Sequence, residues 1–349
     1  MPGVQGPPDR IPIPEPISGG VMLSYRCSAA CRHCMYACSP RWPGDWISPE
    51  DLERGLAQLA GRIQPSPWGR DAISLNHGLH FTGGEPFLNF ELLLRAVALA
   101  EAAGIPSTFV ETNGFWCTAD EATRRKLSAL RRAGLRGIMV SVNPFFAEFV
   151  PFERTERCVR ISVEVFERNV FVYQQEYWRE FRRMGLSGTL PLEQYIARTG
   201  NRQFVRRAEL FLMGRAALRL RDAFPARPAA RFLDVPCAPP VLREWHNHFD
   251  NYGNFMPGYC GGLSLGDWRN LDALLAGGID AGARPILTHL VSGDMAGLLR
   301  FARDRGYRDR DDGYVSKCDL CLDVRRHLAA AGDFAELRPT QFYRWGLEA

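Results

Sequence analysis

The chain has 349 residues, 46% hydrophobic and 23% charged, which is enough apolar material for a large folded core and excludes a disordered polymer. A net charge of +4, from 43 basic against 39 acidic residues, is too small to argue for nucleic-acid binding. No apolar run approaches the roughly 18 residues of a membrane span, and the N-terminus has no basic flank leading into an apolar stretch, so a cytoplasmic protein is expected.

The opening MPGVQGPPDRIPIPEPISGG reads as a proline-rich arm. From Gly20 to about residue 213, short apolar runs alternate with amphipathic stretches: VMLSY, then PEDLERGLAQLAGRI, LHFTGG, ELLLRAVALAEAAG and STFVET. Further strands are expected over 137–143, 169–174 and 208–214, with helices over DEATRRKLSALRRAG and ERTERCVRISVEVFER between them. About six strand-then-helix units predict an α/β fold, a parallel sheet curled into a full or partial barrel with its chemistry at the carboxyl ends of the strands. Beyond Arg215 the pattern changes through FPARPAARFLDVPCAPP, and EWHNHFDNYGNFMPGYCGG predicts a β-hairpin turning near Asn251 to Asn254. The expected division is an arm over 1–20, a barrel over 21–224 and a smaller domain of hairpin and helices over 225–349.

Ten cysteines in a reducing compartment read as metal ligands, with a remainder packed as small apolar side chains. Cys27, Cys31 and Cys34 hold a CxxxCxxC spacing in the loop after the first barrel strand. Three close thiolates suit a four-iron cluster with one iron left open; a zinc site completed by Cys38 or His33 is the other reading. Cys38 is a further thiol beside the triad, while Cys117 and Cys158 are expected in packing. Cys237, Cys260, Cys318 and Cys321 form a second set that suits a fully ligated cluster or a Cys₄ zinc site. His246 and His248 alternate on an expected strand and share one face, which suits a metal pair or plain sheet packing.

The string CSAACRHC, followed some fifty residues later by FTGGEPFLN, resembles the radical S-adenosylmethionine (SAM) superfamily over roughly residues 20–215. The resemblance implies a partial (β/α)₆ TIM-like barrel and a site-differentiated [4Fe-4S] cluster on Cys27, Cys31 and Cys34. It also implies SAM held near His33, with Gly83, Gly84, Glu85 and Pro86 at its methionine amino group. The segments ETNG and SVNP sit where the family has polar motifs at strand ends, which adds Asn113, Ser141 and Asn143 to the SAM-binding candidates; all three also suit helix caps and turns. Over about 232–325 the second cysteine set and the hairpin resemble the SPASM and Twitch domains, implying one auxiliary [4Fe-4S] cluster on Cys237, Cys260, Cys318 and Cys321.

The implied reaction is reductive cleavage of SAM to a 5′-deoxyadenosyl radical, which abstracts a substrate hydrogen atom. An auxiliary cluster able to accept an electron then favours two-electron oxidation of a small molecule. Modification of a ribosomally made peptide or protein side chain is the rival reading, and the 26 residues ahead of Cys27 favour the small molecule. A non-catalytic zinc-binding interaction protein is the reading from another class. Expected partners are the substrate and an external one-electron reductant such as flavodoxin or ferredoxin, with no nucleic acid or membrane. In FVYQQEYWREFRR, the residues Tyr173, Glu176 and Tyr177 are candidates for a catalytic acid or base, against an aromatic stripe that packs a helix.

Overall fold

The computed structural model describes residues 9–200, 208, 210–234, 237–344 and 346–348; the first eight residues of the proline-rich arm, and Val235 and Pro236 of the expected linker, lie outside them. The strands are β1 (Arg10–Ile11), β2 (Ser18–Met22), β3 (Gly78–Thr82), β4 (Phe109–Thr112), β5 (Gly137–Ser141) and β6 (Val170–Tyr173), then β7 (Asn247–Phe249), β8 (Asn254–Met256), β9 (Gly266–Asp267) and β10 (Ile279–Asp280). An eight-stranded sheet runs in the order β6-β5-β4-β3-β2-β7-β8-β9. β2 to β7 are parallel along it, and β8 and β9 continue antiparallel. The sheet is a partial, open barrel, as the alternating pattern predicts.

The crossover helices are α1 (Pro49–Leu59), α2 (Phe90–Ala102) and α3 (Asp120–Arg132), then, past a single-turn α4 (Pro144–Ala147), α5 (Phe152–Phe166). α1 starts where Ser48 accepts from the Asp51 amide at 3.0 Å, and it buries Leu52, Leu56 and Leu59 at helical spacing. Asn89 caps α2 in the same way at 3.2 Å. α3 carries Asp120 and Glu121 in its first turn and Arg131 and Arg132 in its last, which complements the helix dipole. Leu79 and Phe81 of β3 are buried beneath these helices, so the alternate residues His80 and Thr82 point into the barrel.

The sixth parallel strand comes from an unexpected place. Leu210–Met213 form no strand, although an apolar run there predicts one. The position is taken instead by β7 of the predicted hairpin, which joins the opposite edge, with Gly19, Gly20 and Val21 of β2 in register with Asn247, His248 and Phe249. The sheet therefore crosses the expected boundary at residue 225. Within the expected arm, β1 pairs antiparallel with β10. No helix among the described residues is long and apolar enough to cross a membrane.

Trp268 locks the hairpin to the barrel. Its Nε1 donates to the Asp250 carbonyl at 3.0 Å, its ring lies 5.4 Å from that of Phe249, and a β-carbon at Gly55 of α1 would overlap it. Asp250 in the hairpin turn accepts from the Tyr25 hydroxyl at 2.8 Å and from the Asn254 amide at 2.8 Å, so its buried carboxylate is satisfied across both halves of the chain. Trp268→Ala is expected to lower stability by about 3–5 kcal/mol through loss of this fully buried side chain. Urea denaturation checks it, and a loss under about 1 kcal/mol would contradict the packing.

Candidate functional site

The loop that follows β2 carries the first cysteine set in tight turns, with the Cys34 amide donating to the Cys31 carbonyl and the Ala37 amide to the Cys34 carbonyl, each at 3.2 Å. Its ends are closed by the Cys27 amide on the Ser39 carbonyl at 3.1 Å. Arg215, almost fully buried, donates to the carbonyls of Cys31 at 2.9 Å, Ala37 at 2.8 Å and Cys38 at 3.0 Å. Gly83 and Gly84 press on the same loop from β3: a β-carbon on either would overlap the Ser24 or Arg26 carbonyl, and Gly83 has a φ of +122°.

The loop opens onto a cavity of about 490 Å³ that Cys27, Cys31, Cys34, Cys38, His33, Gly83, Gly84, Asn113, Ser141 and Tyr173 all line. Burial, followed by the nearby Glu85, raises the Cys27 thiol, and burial with the neighbouring thiols raises Cys31. Cys34 moves the other way, to about 6, because the Cys38 thiol and then the Arg215 charge favour its thiolate. Thiols raised by burial are ones that a bound cation would hold ionised. The Asn113 amide nitrogen lies 3.9 Å from the Cys27 sulfur and the Cys38 amide 3.3 Å from the Cys34 sulfur. His33 stacks on Phe145 with centroids 4.7 Å apart, and burial lowers it to about 3, so the ring is neutral. The chemistry of this donor set fits a cluster held by three thiolates.

Three expected binding residues do not face the cavity as expected. Glu85 is turned into the protein, accepting from the Asn113 amide at 2.9 Å, the Thr112 hydroxyl at 2.9 Å and the Phe87 amide at 3.2 Å, so it pins β3 to β4. Pro86 is buried in the single turn that Glu85 caps. Asn143 caps α4 through Oδ1, accepting from the Phe145 and Phe146 amides, and only its amide nitrogen approaches His33, at 3.3 Å. Of the acid–base candidates, Tyr173 lines the cavity while Glu176 is exposed on helix α6 (Gln175–Arg183). Tyr177 is buried between Phe181 and Tyr195, which is the packing stripe.

Residues that sequence reasoning missed, together with His246 and His248 of the expected strand, form the rest of the wall. Glu111 of β4 lines the cavity, accepting from Thr82 at 2.7 Å, and burial raises its carboxyl to about 7. Its Oε1 lies 3.4 Å from His80 Nε2. Tyr36, His246, His248 and Tyr259 complete the wall, with the Tyr36 hydroxyl 2.8 Å from His248 Nδ1. Burial drives His80 and His248 well below the usual histidine range, so both rings are neutral. Period-two alternation could have signalled His80 and Glu111, since each lies two residues from a barrel-facing position.

The second cysteine set also comes together. Cys237 heads the short helix Ala238–Val241, Cys260 follows β8, and Cys318 and Cys321 share one face in the first turns of the helix Lys317–Ala331. Burial first, then the neighbouring thiols, pushes Cys260 to about 11 and Cys318 to about 12. Buried Arg325 donates to the Gly261 carbonyl at 3.0 Å and to the Tyr343 hydroxyl at 2.6 Å beside them. Among the described residues neither cysteine set gathers three donor atoms within 4.8 Å of one another. Cys117 and Cys158 are fully buried, as expected of packing residues.

Glu111 gives the site a pH signature. Between the unfolded carboxyl value of about 4.3 and its folded value of about 7, the folded chain binds a proton that the unfolded chain releases, so stability falls as pH rises through that window. Glu111→Gln is expected to remove its part of this slope, stabilising the ligand-free protein at pH 8 by about 3–4 kcal/mol and leaving it nearly unchanged at pH 4.5. Urea denaturation at both pH values checks this; an equal effect at both would contradict it.

Residues 21–179 match the family model described as the radical SAM superfamily. GTP 3′,8-cyclase of Synechococcus sp. (strain CC9902) is 34% identical over 113 residues, 32% of this chain and 28% of that one. GTP 3′,8-cyclase of Mycobacterium ulcerans (strain Agy99) is 31% identical over 140 residues, 39% of this chain and 34% of that one. The chain thus spans about a third of the length of the curated relatives it matches. Among solved structures, BtrN in complex with AdoMet and 2-DOIA aligns with a TM-score of 0.44 at 13% identity, covering 88% of this chain and 92% of that one. The cysteine-bearing loop, the double-glycine turn and the parallel strands β3 to β6 all lie within residues 21–179, the segment that is similar to the radical SAM superfamily.

Proposed function

We propose that this radical SAM enzyme oxidises a small molecule by two electrons, using a site-differentiated [4Fe-4S] cluster on Cys27, Cys31 and Cys34 and an auxiliary cluster on Cys237, Cys260, Cys318 and Cys321. One observation carries the reading: a single cavity is lined at one end by the cysteine triad and elsewhere by Tyr259, the residue before Cys260. Substrate in that cavity would lie between the two cysteine sets. Bound there, the first cluster and SAM would supply a radical that removes a hydrogen atom from substrate, and the second cluster a place for the remaining electron.

The chain's own residues do the positioning. The Gly83–Gly84 turn would present backbone groups to the methionine amino end of SAM, Ser141 a hydroxyl to its ribose or carboxylate, and the neutral His33 ring would offer an apolar edge for adenine. Asn113 holds the Cys27 side of the loop through Ser28, at 3.0 Å. Glu111, with its carboxyl near 7, is the base that takes the proton released as a hydroxyl or amine carbon becomes a carbonyl or imine. A flavodoxin- or ferredoxin-type protein is the expected source of the initiating electron.

Cys31→Ala is expected to abolish anaerobic cleavage of SAM to 5′-deoxyadenosine while about four irons remain bound; continued cleavage would overturn the triad assignment. Cys318→Ala with Cys321→Ala is expected to remove about four irons and to suppress product more than SAM cleavage. Full iron retention in that variant, or stoichiometric zinc in the wild type at either cysteine set, would contradict the second assignment.

A further inference from the structure

We propose that His80, His246 and His248 form a binding site for one divalent transition-metal ion in the barrel, separate from both cysteine sets. They are the described residues whose three donor atoms, one from each, lie within 4.8 Å of one another. Their ring centroids form a nearly equilateral triangle, 5.2, 5.3 and 5.4 Å on its sides. Zinc takes imidazole nitrogens at about 2.0–2.1 Å, which sets them roughly 3.3 Å apart in a tetrahedron, so ring rotations of an ångström or so close the site.

The backbone makes room for this meeting. His80 lies on β3 and His248 on β7, with β2 between them, and Gly20 of β2 is in register with both. A β-carbon at Gly20 would overlap both imidazoles, so the two rings meet across a strand only because the residue between them has no side chain.

The hydrogen bonds select the tautomer that a metal needs. His246 Nδ1 lies 2.8 Å from the Leu75 carbonyl and His248 Nδ1 2.9 Å from the Gly258 carbonyl. A carbonyl accepts only, and the Tyr36 hydroxyl beside His248 Nδ1 already donates to the same Gly258 carbonyl, so each Nδ1 is assigned as the protonated donor and each Nε2 carries the lone pair. Metal-bound histidines have this arrangement, with the second nitrogen held by a carbonyl. His80 Nε2 is buried with no hydrogen-bond partner, and the Glu111 carboxylate 3.4 Å away supplies negative charge to balance a cation. His246 and His248 line the cavity, so the fourth coordination position opens toward whatever occupies it. Three neutral imidazoles suit zinc, iron, nickel or copper rather than magnesium or calcium.

The site is independent of the cysteine assignments, and its test separates the two. Cluster-reconstituted full-length protein, freed of loose metal, is titrated anaerobically with zinc chloride, and bound zinc and iron are counted. One zinc per chain is expected, bound through nitrogen and oxygen by X-ray absorption, with iron unchanged. His80→Gln and His246→Gln are each expected to weaken zinc binding about 100-fold or more at wild-type iron content; His246 is only half buried, which keeps one variant safe for folding. No zinc retained by the wild type, zinc bound through sulfur, or equal zinc in wild type and His246→Gln would overturn the proposal.

Discussion

Backbone presses on backbone around the Ser24–Ser39 loop, at separations that leave no room for a β-carbon. Gly83 and Gly84 meet the Ser24 and Arg26 carbonyls, Gly214 meets the Met35 and Cys34 carbonyls, and Gly261 meets the Met35 carbonyl from the other half of the chain. These contacts come from the turn after β3, the approach to the helix Arg215–Arg219 and the segment that carries Cys260. Each cysteine set is thus positioned against the other through the Met35 region and not through a hinge. A side chain at any of these glycines would push one set away from the cavity, so the geometry of the site is written into residues that carry no chemistry.

Charge imposes the second constraint. Each cysteine set is accompanied by one buried arginine whose guanidinium is tied to loop carbonyls, Arg215 at Cys31, Ala37 and Cys38 and Arg325 at Gly261. An arginine buried this deeply costs several kcal/mol unless anionic partners offset it. Thiolates gathered at a metal group provide that offset, whereas protonated thiols do not. Arg215 and Arg325 both fix the backbone of the loops that carry the two cysteine sets.

The parts of this architecture that were legible in the sequence are local ones. The CxxxCxxC loop, the double glycine after β3, the hairpin at Asp250 to Asn254 and the period of each crossover helix depend on neighbours within a few residues. The misreadings have a long-range cause. Glu85 was expected at a ligand, but the amide of Asn113, 28 residues away, claims its carboxylate. The run at 208–214 has a strand's composition, yet the edge beside β2 is filled from residues 247–249, and strand pairing at that separation leaves no local trace. His80 looked like one residue in an apolar strand. Its importance depends on Gly20 and on a hairpin more than 160 residues away, and only the assembled sheet brings those together.

That sheet explains why the two halves of the chain cannot be treated as catalytic barrel plus appendage. Removing the chain beyond residue 225 would strip β7 from β2, leaving the backbone of Gly19 to Val21 with an unpaired edge and uncovering Val21, now fully buried. It would also take away His246, His248 and Tyr259, one whole wall of the cavity. The Asp250 carboxylate links the same two halves at the loop itself, since it holds the Tyr25 hydroxyl two residues before Cys27. The cavity is walled by both halves, so neither half alone shapes the space that the cysteine triad opens onto.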